Sequence, residues 1–264
     1  MNDHRPRQRW RLLLVPPRSG AENMARDAAL MGRAGTTGET VFSVYSWTFP
    51  TLSLGRNEEA RGRYDLNLIS ARGIDVVRRP TGGRALLHHR EVTYSVTAPI
   101  DPRVPLRESC HRINAVLAAG LAALGAPVAE ADPKERTPAP GATPCFAAPA
   151  RGELVAGGRK LVGSAQWRNN GALLQHGSIL IHDDQSSIAG LAIGSPLTAA
   201  SARPATLASL LGYAPTLDDV AAALFGAVRA LEDAEPTEMD EDEIRATALT
   251  LVQRYKSERW TWRR

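Results

Sequence analysis

The sequence predicts an α+β fold, a mixed β-sheet flanked by helices. Three observations predict it. Residues 41–47, 74–77, 85–87 and 92–96 are short β-branched or apolar runs bounded by Gly, Pro or charge, the signature of strands. Across residues 106–124 apolar side chains recur at helical spacing (Ile113, Val116, Leu117, Leu121, Leu124) until Gly125 and Pro127 stop the pattern. Beyond Asp183 the patterns become helical, which sets further helices beside the strands.

Taken in order, residues 10–15 read as a strand, and residues 21–31 as a helix with Met24, Ala28 and Met31 on one face. The four short runs named above are expected to join one mixed sheet. Residues 131–149, rich in Pro, Ala and Gly and containing Cys145, are expected to form a loop; loops this long inside a compact domain tend to be functional or disordered. Residues 153–155 and 160–167 flank Gly157 and Gly158 as a hairpin, with residues 172–181 as the next partner. Helices are expected at 186–192, 206–211, 217–231 and 241–255, with an acidic solvated linker over 232–240. One domain over 10–235 with a helical extension of that domain over 236–264 accommodates these elements.

Composition excludes several classes. Hydrophobic residues at 43% and charged residues at 23% leave no case for a disordered or fibrous chain. The longest apolar runs, such as residues 12–17, are far short of the roughly 20 residues that span a bilayer, so no membrane partner is expected. The basic start (Arg5, Arg7, Arg9, Arg11) leads into a strand-like segment rather than a secretion signal, which predicts a cytoplasmic protein. Cys110 and Cys145 are too few for a disulfide framework, and the six histidines lack the spacing of a metal site, so no metal is expected. The net charge of +4 suits an acidic macromolecule, and its dispersal along the chain fits an acidic carrier protein as well as nucleic acid.

Two segments carry chemistry. Residues 78–88 (RRPTGGRALLH) form a turn of small residues between strands, where Gly82 and Gly83 let the backbone approach a ligand and Arg78, Arg79 and Arg84 can neutralise an anion. Residues 158–166 (GRKLVGSAQ) precede residues 171–179 (GALLQHGSI). Strand alternation places Lys160 and Val162 on one face and Leu161 and Gly163 on the other, so Lys160 can face a pocket and order negative charge.

Together these segments, with the EVTYS run at residues 91–95, Asn23-Met24-Ala25 with Asp27, and the run from Pro50 to Arg56, resemble the lipoate-protein ligase, octanoyltransferase and biotin ligase superfamily over roughly residues 10–182. The chain most resembles the cysteine-dependent octanoyltransferases. That resemblance implies a biotin/lipoate protein ligase-like catalytic domain, Cys145 as nucleophile and Lys160 as its electrostatic partner. A nearby ammonium favours the thiolate, the reactive form of cysteine. The resemblance also places Arg79, Thr81, Gly82, Gly83, Arg84, His88, Gly163, Ser164, Ala165, His176 and Gly177 around the substrate. It implies acyl carrier protein as donor and a lipoyl-carrier domain as acceptor, of the glycine cleavage H type or from a 2-oxoacid dehydrogenase E2, with no cofactor and no nucleic acid.

An ATP-dependent lipoate-protein ligase is the alternative; its relatives carry a third glycine where Arg84 stands and do not need Cys145. An amidotransferase between carrier domains would keep both Cys145 and Lys160. Cys110, in an ordinary amphipathic helix, is assigned no role.

Overall fold

A computed structural model describes residues 9–131, 145–146, 149–194 and 203–264. Strand β1 (Trp10–Leu14) runs parallel to β2 (Thr40–Tyr45), which pairs antiparallel with β6 (Glu91–Pro99). β6 continues into an antiparallel meander of β10 (Ala172–Leu180), β9 (Arg159–Asn169), β8 (Leu154–Ala156) and β7 (Ala129–Glu130). A two-residue strand, β11 (Thr237–Glu238), extends the other edge by pairing parallel with β1 and completes an eight-stranded sheet. The expected solvated linker therefore contributes backbone to the sheet.

Residues 74–77 and 85–87 do not join this sheet, contrary to the single sheet expected. Strand β3 (Thr51–Leu54), which the strand pattern did not single out, is the centre of a separate three-stranded sheet. It pairs parallel with β4 (Asp75–Arg78) and antiparallel with β5 (Leu86–His88). Its own core gathers Leu52, Leu54, Leu87 and Ile69 of the short helix α2 (Leu66–Ala71) with Ile188 and Leu191 of a 3₁₀ helix, Gln185–Leu191.

Helices cover both faces of the large sheet. Helix α1 (Gly20–Thr37) outruns its apolar pattern because Ser19 and Glu22 form a capping box and Gly38 closes its end at φ 74°. With α6 (Asp242–Lys256) it buries Met24, Leu30, Ile244 and Tyr255 against Leu13, Val41 and Tyr45. On the opposite face, α3 (Leu106–Ala123) and α5 (Leu217–Leu231) pack over Leu12, Phe42, Tyr94 and Val96. Gly120 permits their contact, since a Cβ there would stand 2.9 Å from the Leu224 Cα. The alternation of Leu12 with Leu13 and of Val41 with Phe42 thus feeds two cores, each fully buried side chain contributing about 1.5–3 kcal/mol. Helix α4 (Leu207–Leu211) and helix α7 (Glu258–Thr261) complete the described elements.

One irregularity positions the site. The β8–β9 register pairs Val155 with Lys160 but Leu154 with Val162, so Leu161 is an extra residue. This β-bulge shifts the alternation. Leu161 and Val162 both enter the α3/α5 core, and Lys160 shares a face with Gly163, not with Val162 as alternation predicted.

Candidate active site

Between the two sheets lies a cavity of about 620 Å³, within the size range of small-molecule sites, roughly 300–1,000 Å³. Met24, Tyr45, Trp47 and Leu86 supply much of its apolar lining. The turn between β4 and β5 brings Arg79, Gly82, Gly83 and Arg84 to one side, and the end of β5 adds His88. From the large sheet come Gly163, Ser164 and Ala165 of β9 and His176 and Gly177 of β10, together with Cys145.

Lys160 reaches Cys145 from beneath. Its Nζ lies 3.4 Å from Cys145 Sγ and donates to the Cys145 carbonyl at 2.8 Å. The side chain is buried, with the Phe146 ring 4.6 Å from the ammonium and the Glu153 carboxylate at 2.7 Å. Glu153 in turn accepts the Ala150 N–H at 2.7 Å and lines the cavity. Strand alternation could not reveal this acid. The available signal was an acidic residue opening a hairpin whose return strand carries a buried lysine.

The arginines of the turn behave differently from one another and from expectation. Arg78 is buried and faces away from the cavity, donating to the carbonyls of Gly55 at 2.6 Å, Glu58 at 2.8 Å and Thr261 at 2.7 Å. Burial, followed by repulsion from Arg263, pushes its guanidinium down to about 10. Arg79 lines the cavity yet binds the carbonyls of Ser53, Gly82 and Arg84, so it braces the turn that it belongs to. Burial lowers its pKa as well, and the charge of a Cys145 thiolate opposes that effect.

Thr81, expected to line the site, instead stands behind it: its hydroxyl is 2.6 Å from His176 Nε2, and it is fully buried outside the lining. His176 Nδ1 meets Asp27 Oδ2 at 2.9 Å, and Asp27 also accepts from Tyr45 and Ser95. Burial would raise the Asp27 pKa, but the His176 bond, Arg26 and Tyr45 together hold it below the usual carboxylate range. His88 is fixed likewise, between Ser53 Oγ at 2.9 Å and Glu91 Oε1 at 3.3 Å, and stacks on Trp47 with ring centroids 3.9 Å apart. Burial pushes its pKa down. The residues after it, His89 and Arg90, turn out to pair with Asp184.

Two glycines permit this crowding. A Cβ on Gly177 would sit 2.4 Å from the Gly163 carbonyl, and one on Gly55 would sit 1.9 Å from the Gly83 carbonyl. Tyr94 anchors Ser164 by a 2.7 Å bond between hydroxyls. Among the described residues no group of three or more His, Cys, Asp or Glu is placed to hold a metal ion, and no helix is long and apolar enough to cross a membrane.

A thiol beside a buried ammonium, opening on a cavity with a tightly held turn, is equipped for nucleophilic acyl transfer. The architecture around it is the catalytic fold of lipoate-protein ligases. The chain superimposes on protein Ta0514 from T. acidophilum with bound lipoic acid at a TM-score of 0.75 and 22% identity, covering 97% of this chain and 100% of that one. A lipoate-protein ligase A bound with ATP gives 0.76 at 21% identity, with 97% and 99% covered.

The chain belongs to the lipoyl protein ligase A/B catalytic domain family, whose profile matches residues 19–229. Among its relatives, Octanoyltransferase LipM of Kyrpidia tusciae is 39% identical over 97% of this chain and 100% of its own length. Octanoyltransferase LipM of Symbiobacterium thermophilum is 37% identical over 97% and 98%.

Proposed function

We propose that this protein is an acyltransferase that moves an octanoyl group from acyl carrier protein to a lysine of a lipoyl-carrier domain through a Cys145 thioester. The observation that carries this reading is the 3.4 Å approach of the buried Lys160 ammonium to Cys145 Sγ at the cavity. The full-length likeness to proteins named octanoyltransferases supports it.

In the first half-reaction the Cys145 thiolate attacks the donor thioester; the carrier thiolate leaves, and Lys160 stabilises the charge on the attacking sulfur. One thioester replaces another, so no ATP is used. In the second, the acceptor amine attacks the Cys145 thioester and an amide forms, which makes this half downhill. A lipoyl domain is the acceptor whose chemistry fits; a fold neighbour from Thermoplasma acidophilum is described as a bi-partite lipoate protein ligase with its E2 lipoyl domain.

The test is incubation with octanoyl-acyl carrier protein without ATP, followed by intact mass spectrometry and hydroxylamine treatment. A hydroxylamine-sensitive octanoyl adduct on the wild type, absent from Cys145→Ser, is the expected result. No adduct, with acceptor modification only from free acid and ATP, would replace this reading with a ligase.

A further inference from the structure

We propose that Glu153 is a catalytic residue of the second half-reaction, its carboxylate accepting the proton that the acceptor lysine sheds as it attacks the Cys145 thioester. This inference rests on the acyl-thioester reading above.

Geometry singles Glu153 out. Its Oε1 touches Lys160 Nζ at 2.7 Å, and Lys160 touches Cys145, so the carboxylate is one residue removed from the reacting sulfur. Its Oε2 accepts the Ala150 N–H. A carboxylate has about four acceptor sites, so these two contacts leave capacity facing the cavity that Glu153 lines.

The other acidic and imidazole groups of the lining are not joined to Lys160. Glu58 takes the Gly55 N–H and the Tyr64 hydroxyl instead, and Glu59 pairs with Arg63. Both ring nitrogens of His88 and of His176 are engaged by buried partners, Ser53 and Glu91 for the first, Thr81 and Asp27 for the second. Among the described residues Glu153 is the carboxylate joined to the Cys145–Lys160 pair.

Charge bookkeeping gives Glu153 its moment. While Cys145 is a thiolate, Lys160 is shared between two anions. Acylation makes the sulfur neutral, and Lys160 and Glu153 remain as a balanced pair. A neutral acceptor amine then forms the C–N bond, its N–H proton passes to Glu153, the C–S bond breaks, and the electron pair returns to sulfur. The products are the amide, a Cys145 thiolate opposite Lys160, and a neutral Glu153 that releases its proton to water.

The two half-reactions can be timed separately in Glu153→Gln, with octanoyl-acyl carrier protein as donor and an isolated lipoyl domain as acceptor. The expected result is a Cys145 adduct formed within about threefold of the wild-type rate and transfer to the lipoyl lysine slowed on the order of 10²-fold. Hydroxylamine, whose adduct nitrogen is acidic enough to shed its proton to water, should discharge both proteins equally, and Glu153→Asp should recover part of the transfer. Equal losses in acylation and transfer would overturn the proposal and leave Glu153 as a positioning residue for Lys160; so would undiminished transfer. A wild type that never forms the adduct would instead overturn the thioester reading, and this inference with it.

Discussion

Lys160 and Gly163 occupy the same face of β9, with the Lys160 Cε 2.9 Å from the point where a Cβ on residue 163 would stand. The Phe146 ring is 3.0 Å from the same point. Residue 163 therefore sets the space in which the ammonium meets Cys145.

Gly163→Ala should cost about 1–3 kcal/mol, because the Lys160 end it meets first is held by Glu153 and the Cys145 carbonyl and the Phe146 ring stands close behind. Displacing Lys160 by a fraction of an ångström should also slow acylation of Cys145 by roughly 10- to 100-fold, the scale of a misplaced catalytic group. Thermal melts beside single-turnover acylation would check it; an unchanged rate would refute it.

Gly55→Ala meets a different neighbour. Its Cβ would meet backbone, the Gly83 carbonyl at 1.9 Å, so the turn carrying Arg79 and Arg84 has to move. A cost of about 1–3 kcal/mol is expected, a fall in melting temperature of roughly 2–4 °C per kcal/mol for a chain of this size. Scanning calorimetry reads this directly.

Arg78→Met should destabilise by about 3–5 kcal/mol, since three carbonyls, those of Gly55 and Thr261 in buried bonds, lose a charged donor at once. Activity per folded molecule should change little, because the guanidinium faces Gly55, Glu58 and Thr261 rather than the cavity. Urea melts paired with activity normalised to folded protein separate these effects.

His88 makes stability depend on pH. Burial lowers its folded-state pKa below the ordinary histidine value of 6.5, so the unfolded chain binds more protons than the native one once the pH falls beneath that value. Its full contribution is present above the unfolded pKa, declines through the interval between the two pKa values, and levels off below the depressed folded one. The wild type should lose up to about 1.4 kcal/mol per pH unit within that interval. His88→Gln should flatten the slope. An unchanged slope in denaturation midpoints taken from pH 7 to pH 5 would count against the assignment.

Helix and strand boundaries were legible where one apolar stripe met one core. The predicted helix at 217–231 coincides with α5, and that at 106–124 agrees with α3 to within its capping residue. The separate sheet was not legible, because β3, β4 and β5 have the apolar faces of any sheet and nothing local says which neighbour each will pair with. The bulge at Leu161 was hidden for a related reason: two adjacent apolar residues fit an alternating pattern only by assigning one of them to the wrong face. At the site, Cys145 and Lys160 were legible through motif resemblance and are brought together. Glu153 was missed, since its role depends on a contact across a hairpin. Arg78 was misread because a guanidinium beside a glycine turn looks the same in sequence whether it faces a ligand or the protein's own carbonyls.

The division into two sheets gives the cavity a mechanical character. Cys145's partner Lys160 rides on the large sheet and the 79–84 turn on the small one, with Thr81–His176 and His88–Glu91 as rivets across the seam. The small sheet has a core of its own but also sets Val77 into the α1/α6 core and Leu86 beside Leu180, so a slight parting along the seam would pull the reacting groups out of alignment before either sheet came apart. Far-ultraviolet dichroism would register nothing at that stage; turnover would already have stopped.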